Sequence, residues 1–240
     1  MPEINLQDFF KYFSGTAEQK EGIALLQQSM PDSLLRDASA WVRKYREQPS
    51  EPESLPWPVT KEQLGYIMQC SVDSLPDDLM NDLAKCVADC KMDTLELVYF
   101  LGQTGHESAG LRYPVEIHDG SNYEGRSDLG NTQPGDGVKF AGTGWIQVTG
   151  RYNHQSFADA INDPKVMELG KTYTSEKYPW SISGHWWIQN KMNQFCDARP
   201  ELNDYQIDEI GARVNGRMRP NGADDRIAYT RRAKTQLMTN

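Results

Sequence analysis

The stretch Asp93-Thr-Leu-Glu-Leu-Val-Tyr-Phe-Leu-Gly-Gln-Thr-Gly-His-Glu107 decides the reading of this chain. Asp93 followed three residues later by Glu96 is a capping box, in which each side chain satisfies a backbone N–H at the start of a helix. Leu95, Leu97, Val98, Tyr99, Phe100 and Leu101 then leave almost no polar face, and a helix apolar on most sides is a buried one. That helix ends on Glu107. A carboxylate at the end of a packed helix is held rigidly, which suits chemistry better than solvation.

Helical patterning extends outward on both sides. Thr60 and Gln63 form a second capping box, and Leu79, Leu83, Cys86 and Val87 continue an apolar stripe. Beyond Arg151 the chain is again helical, including Ile182 to Asn193 with its Trp186–Trp187 pair. Two last helices are expected over Gln206–Val214 and Asp225–Leu237. Between them, residues 110–150 carry glycines at 110, 120, 125, 130, 135, 137, 142, 144 and 150, interleaved with Tyr, Asp and Asn. This is loop and short-strand composition, and functional loops are often mounted this way on a helical scaffold.

The first 58 residues differ. Phe9, Phe10, Tyr12 and Phe13 cluster, and Leu34, Leu35, Ala38, Trp41 and Val42 follow helical spacing. Pro49, Pro52, Pro56 and Pro58 then mark a stiff linker. The expected organisation is a small helical segment over 1–58 and a larger domain over 59–240. So short a segment is marginal as an independent fold. A binding module, a brace on the larger domain and a dimerisation element are the three roles open to it.

Composition narrows the function classes. The 240 residues carry a formal net charge of -9, with 38% hydrophobic and 25% charged side chains, which suits a soluble globular protein and argues against general nucleic-acid binding. Seven basic residues between 211 and 240, against Asp224 and Asp225, make a local exception that is either a solvated face or a contact for an anionic polymer. No apolar run approaches the roughly 18 residues that a membrane span requires. The N-terminal Met1-Pro-Glu-Ile-Asn5 lacks the basic start and apolar stretch of a secretory signal, so synthesis in a cytoplasm is expected. Cys70, Cys86, Cys90 and Cys196 are too few and scattered for a disulfide scaffold and are read as reduced thiols. No metal or cofactor is expected: Gly110 stands where a zinc-protease motif starting at His106 needs its second histidine, and Gly142-Thr-Gly144 is followed by Gln147 where a dinucleotide loop needs glycine.

Hydrolysis of a glycosidic bond needs one carboxyl group to protonate the leaving oxygen and a second carboxylate on the opposite face. Glu116 follows Glu107 by nine positions across a glycine-containing turn, enough chain to cross a cleft. Spacing alone is weak evidence. Glu124 is a rival for the second role, its plain alternative being an ion pair with Arg126.

The surrounding motifs are more specific. Phe100-Leu-Gly-Gln-Thr-Gly-His-Glu-Ser-Ala-Gly110 resembles the acid-bearing motif of the family 19 glycoside hydrolases, the chitinase and endolysin family. Tyr123-Glu-Gly-Arg-Ser-Asp-Leu-Gly-Asn-Thr-Gln-Pro-Gly-Asp-Gly137 is similar to a segment of its bacterial and bacteriophage branch, and Gly144-Trp-Ile-Gln-Val-Thr-Gly-Arg-Tyr-Asn153 to its substrate-cleft strand. The resemblance runs from about 60 to 235. It implies a mainly α, lysozyme-like α+β fold, with two helical lobes around a substrate cleft and a small irregular or β lobe. It implies Glu107 as general acid, Glu116 as general base, and Thr149 as the hydroxyl holding the attacking water. Gln147, Asn153 and Asn215 match residues that hold sugar or orient the pair, and Arg226 matches an arginine supporting the base side. Tyr123, Glu124 and Trp145 join the expected substrate-binding set; the rings of Tyr123, Trp145 and Tyr152 serve either as stacking surfaces or as core packing. The expected partner is peptidoglycan or chitin, acted on by a monomer that reaches the wall after release from the host cytoplasm. Two departures concern substrate preference: Glu116-Ile-His-Asp-Gly-Ser121 replaces the family's Glu-Asn-Leu-Asn-Tyr-Ser, and Ala141-Gly-Thr-Gly144 its Arg-Gly-Arg-Gly.

Overall fold

The structure, a computed structural model, describes residues 55–217 and 219–238. The expectations for residues 1–54 lie outside the described residues. From Leu55 onward the chain forms one compact unit. Its helices are α1 (Lys61–Met68), α2 (Asp77–Asp89), α3 (Thr94–Glu107), α4 (Asp136–Lys139), α5 (Arg151–Ile161), α6 (Lys165–Leu169), α7 (Lys171–Lys177), α8 (Pro179–Gln189), α9 (Met192–Asp197), α10 (Asp204–Asn215) and α11 (Ala223–Leu237).

Both capping boxes form. Thr60 accepts from the Gln63 amide at 3.2 Å and Asp93 from the Glu96 amide at 2.9 Å, each with the reciprocal bond present. The helix expected over 182–193 is instead two: Lys191 takes a left-handed conformation (φ 56°) and turns the chain between α8 and α9.

Helix α3 is the axis of the larger core. Val98, Tyr99, Phe100 and Leu101 are fully buried, and Phe100 meets the Trp187 ring edge-on at 5.2 Å between centroids. Burying each such side chain contributes about 1.5–3 kcal/mol relative to leaving it exposed. Trp180, Cys86 and Cys196 complete this core, so the thiols are free and mostly buried, as the sequence suggests. A second, smaller core under α5, α6 and α8 is built on Ile146, Val148, Phe157, Val166 and Ile182. The molecule is mainly α and lysozyme-like. Its small lobe is of the irregular kind, with only isolated bridges among the described residues, Val115 to Thr143 and Thr143 to Val148. None of the described helices is long and apolar enough to cross a membrane.

The close crossing of α3 and α11 positions the chemistry. A Cβ on Gly102 would collide with Thr230, and one on Gly105 would lie 2.5 Å from the Tyr229 ring. Two absent methyl groups therefore let α11 lie against α3, the most extensive helix pairing in the unit.

Candidate active site

Glu107 sits at the C-terminal end of α3 with its side chain 20% exposed. Its Oε1 accepts from Arg226 Nη2 at 2.5 Å. Arg226, on α11, is fully buried and spends its other donors on Gln103 Oε1 (Nη1, 2.6 Å) and the Asn221 carbonyl (Nε, 3.0 Å). A buried guanidinium is tolerated only when its charge and donors are answered, and here three acceptors answer them. Asn215 closes the arrangement from behind, accepting the Asn221 amide at 3.2 Å and so fixing the turn that presents that carbonyl. Beside it, His106 Nδ1 pairs with Asp225 at 2.8 Å, and a Cβ on Gly222 would collide with the His106 ring. His106 is a packing and pairing residue.

Arg226, expected beside Glu116, is instead fully buried and paired with Glu107. The cause is the approach of α11 over Gly102 and Gly105, which brings Arg226 to the end of α3.

Glu116 is held by a different kind of structure. From Ser108 the chain turns back on itself, with Ser108 Oγ accepting the Leu111 amide at 2.8 Å. The Glu116 backbone N–H then reaches the Gly142 carbonyl at 2.9 Å, while its Oε2 accepts the Gly142 amide at 3.1 Å. Oε1 accepts from the Tyr123 hydroxyl at 2.9 Å. Burial, then the bond to this carboxylate, raises the Tyr123 phenol above its ordinary value, so it remains a donor. Gly142 is required here: a Cβ would lie 2.8 Å from Gln147 Oε1 and 3.1 Å from Glu116 Oε2.

Gln147, Thr149 and Asn153 form a chain of bonds of their own, with Gln147 close to Gly142. Gln147 adopts a left-handed conformation (φ 57°), a strained choice for a non-glycine residue, and donates to the Tyr113 and Gly144 carbonyls. Thr149 donates its hydroxyl to the Gln147 carbonyl at 3.0 Å, and Asn153 donates to the Thr149 carbonyl at 2.7 Å. With its proton so committed, the Thr149 oxygen has lone pairs free to accept.

Two further residues of the expected set are engaged within the fold. The two Glu124 oxygens accept the Gly135 and Gly137 amides at 2.7 and 2.8 Å at the start of α4. Its supposed partner Arg126 pairs with Asp128 instead. Trp145 is 4% exposed and packs in the larger core, its ring 5.6 Å from that of Trp180 between centroids, which is the core-packing alternative for this residue. Tyr152 is exposed beside the site, its ring lying over Gly130. The basic C-terminal cluster is largely committed as well. Arg231 pairs with Asp204, Arg232 donates to the Ile67 carbonyl, and Arg213 donates to the Asn190 carbonyl.

Three residues escaped the sequence reading. Asn131, fully buried, donates to the Tyr123 carbonyl at 3.0 Å and accepts the Arg151 amide at 2.9 Å, tying the base-side loop to α5. Arg151 braces the same loop through Asp136, whose carboxyl it holds below the ordinary range. Nothing in sequence marks Asn131 apart from its glycine-flanked loop, because its partners are backbone groups. Among the described residues no group of three or more His, Cys, Asp or Glu side chains could hold a metal.

No known family model matches the chain. Its fold is similar to that of chitinase C from Streptomyces griseus HUT6037, with a TM-score of 0.54, 20% identity, and coverage of 77% of this chain and 94% of that one. A mutant form of chitinase C aligns equally well, at 19% identity and the same TM-score and coverage. The likeness establishes the architecture.

Proposed function

We propose that this chain is an inverting glycoside hydrolase of the family 19 type that cuts β-1,4 bonds in peptidoglycan, as an endolysin does. The observation that carries the reading is that Glu107 and Glu116 are each fixed by a network of their own, while the rival Glu124 is consumed by backbone amides. Arg226 occupies Oε1 of Glu107 and leaves Oε2 to carry a proton to the leaving oxygen. Glu116, steadied by Tyr123 and Gly142, takes a proton from a water whose position the Thr149 oxygen helps to set. The step is a single displacement. The water oxygen bonds to the anomeric carbon as the glycosidic C–O bond breaks, one proton passing to Glu116 and one leaving Glu107. Gln147 and Asn153 line the base side, and Asn215 acts on Glu107 through Asn221 and Arg226.

Purified wall and chitin oligomers digested side by side, with products identified by mass, test the substrate. Cleavage of wall strands supports the reading, and cleavage of chitin oligomers alone replaces it with the second reading, a chitinase. The similar fold of a protein named chitinase C is the observation in favour of that alternative. Residues 1–58 are proposed to attach the enzyme to the wall. Their deletion should weaken lysis of sacculi while sparing short oligomers, and equal lysis by the truncated chain would remove that role.

A further inference from the structure

A cavity of about 840 Å³ lies away from both glutamates, between α2 and the segment where α7 meets α8. Its apolar lining includes Leu79, Leu111, Pro114, Trp145 and Pro179, and polar and charged side chains line it as well. A cavity of this size that combines apolar surface with polar groups matches the general form of a ligand site.

The charges at its edge are not equivalent. Lys85 is tied to Asp89 at 2.6 Å, and Lys177 rests over the Tyr173 and Tyr178 rings at 5.4 and 5.0 Å. The Asp82 carboxylate is committed to the start of α8, accepting the Trp180 amide at 2.7 Å and the Ser181 hydroxyl. Asp78 on α2 and Glu176 on α7 remain. Both are exposed, and neither has an ion pair or side-chain hydrogen bond among the described residues. The lining thus combines apolar side chains with two uncommitted carboxylates, complementary to an apolar chain ending in an ammonium group.

Its position connects it to the proposed reaction. Leu111 and Pro114 belong to the turn that joins Glu107 to Glu116, and the Pro114 carbonyl accepts the Gly144 amide at 2.9 Å. Trp145 precedes Gln147 by two residues. An occupant therefore touches the turn that leads to Glu116.

We propose that this cavity binds the amine-bearing diamino-acid side chain of a wall peptide, so that the enzyme recognises peptide-substituted strands as well as the glycan. This rests on peptidoglycan being the substrate class. The site is distinct from the glutamate pair and adds a peptide contact to that reading.

Calorimetry on the full chain tests it, with a soluble stem tripeptide ending in a diamino acid as probe and its side-chain-acetylated form as control. The free-amine peptide should bind, and acetylation should weaken binding by roughly tenfold, as should the double substitution Asp78→Asn with Glu176→Gln. Equal binding of the acetylated peptide, unchanged binding by the double variant, or no binding to the unaltered chain would overturn the proposal. Hydrolysis of chitin oligomers by the double variant should be unchanged, because neither residue belongs to the glutamate networks. Binding of the peptide without cleavage of any strand would remove the proposed reaction and leave this site standing. A double variant that also lost oligomer hydrolysis would show that these carboxylates serve the fold or the reaction itself, which would likewise overturn the proposal.

Discussion

Glu107 and Glu116 are separated by nine positions in sequence but rest on opposite kinds of support. Glu107 ends a fully packed helix and is fixed by a buried guanidinium from a second helix. Glu116 belongs to irregular backbone and is fixed by a glycine amide and a phenol, with no regular strand beneath it. The Glu107 side derives its rigidity from the large core, the Glu116 side from single hydrogen bonds given by Tyr123 and the Gly142 amide. Damage on the first side should therefore appear as lost stability, and on the second as lost activity.

The largest expected effect comes from Arg226→Ala. It strips a buried carboxamide and a partly buried carboxylate of their partner and opens a cavity between α3 and α11. About 3–5 kcal/mol of stability should be lost, measured by denaturant unfolding. A loss below about 1 kcal/mol would mean that the pair acts as a surface ion pair and that the comparison is mistaken.

On the loop side, Tyr123→Phe removes one hydrogen bond to Glu116 without changing shape. A charge-assisted bond is worth roughly 1.5–3 kcal/mol, so kcat should fall by about 10- to 100-fold, with the melting temperature nearly unchanged. A melting temperature that fell with activity intact would reverse the assignment.

The smallest effect separates the two regions by pH. Asp82, which caps α8 in the helical part, has its carboxyl raised to about 6, chiefly by burial. His154, on α5 beside Phe140, is lowered to about 4, again by burial. Between roughly pH 4 and 6 the folded state holds the Asp82 proton and the unfolded state does not, so this group makes stability fall as pH rises. Across roughly pH 4 to 6.5 the unfolded state holds the His154 proton and the folded state does not, so stability rises with pH. The two contributions oppose each other. Asp82→Asn should unmask the second, giving a protein whose unfolding free energy climbs steadily from pH 4 to 6.5. A slope no steeper than that of the unaltered protein would contradict the burial argument for Asp82.

The same contrast explains what the sequence disclosed. Both capping boxes and the buried course of α3 follow from spacing, because helices write their contacts into local periodicity. Arg226 enters the expected set through the family resemblance, but its pairing with Glu107 is not legible in sequence, since that depends on how closely two helices cross at Gly102 and Gly105. In the loops, side chains bond mainly to backbone groups, which leave no pattern of residue types. Glu124 thus reads in sequence as a second base or a partner of Arg126, whereas its bonds go to the Gly135 and Gly137 amides, and Asn131 does not stand out. Trp145 stays open between stacking and packing because sequence cannot tell a ring facing a cleft from one facing Trp180.

The central claim is that Glu107 and Glu116 face each other across a water, with a single displacement at the anomeric carbon. Rapid proton NMR of the first product released from a β-linked amino-sugar oligomer tests it most directly. The account predicts the α-anomer, equilibrating afterwards with the β form. The β-anomer as first product would contradict it, requiring a covalent or substrate-assisted route and leaving the water-holding role of Thr149 without a step to serve.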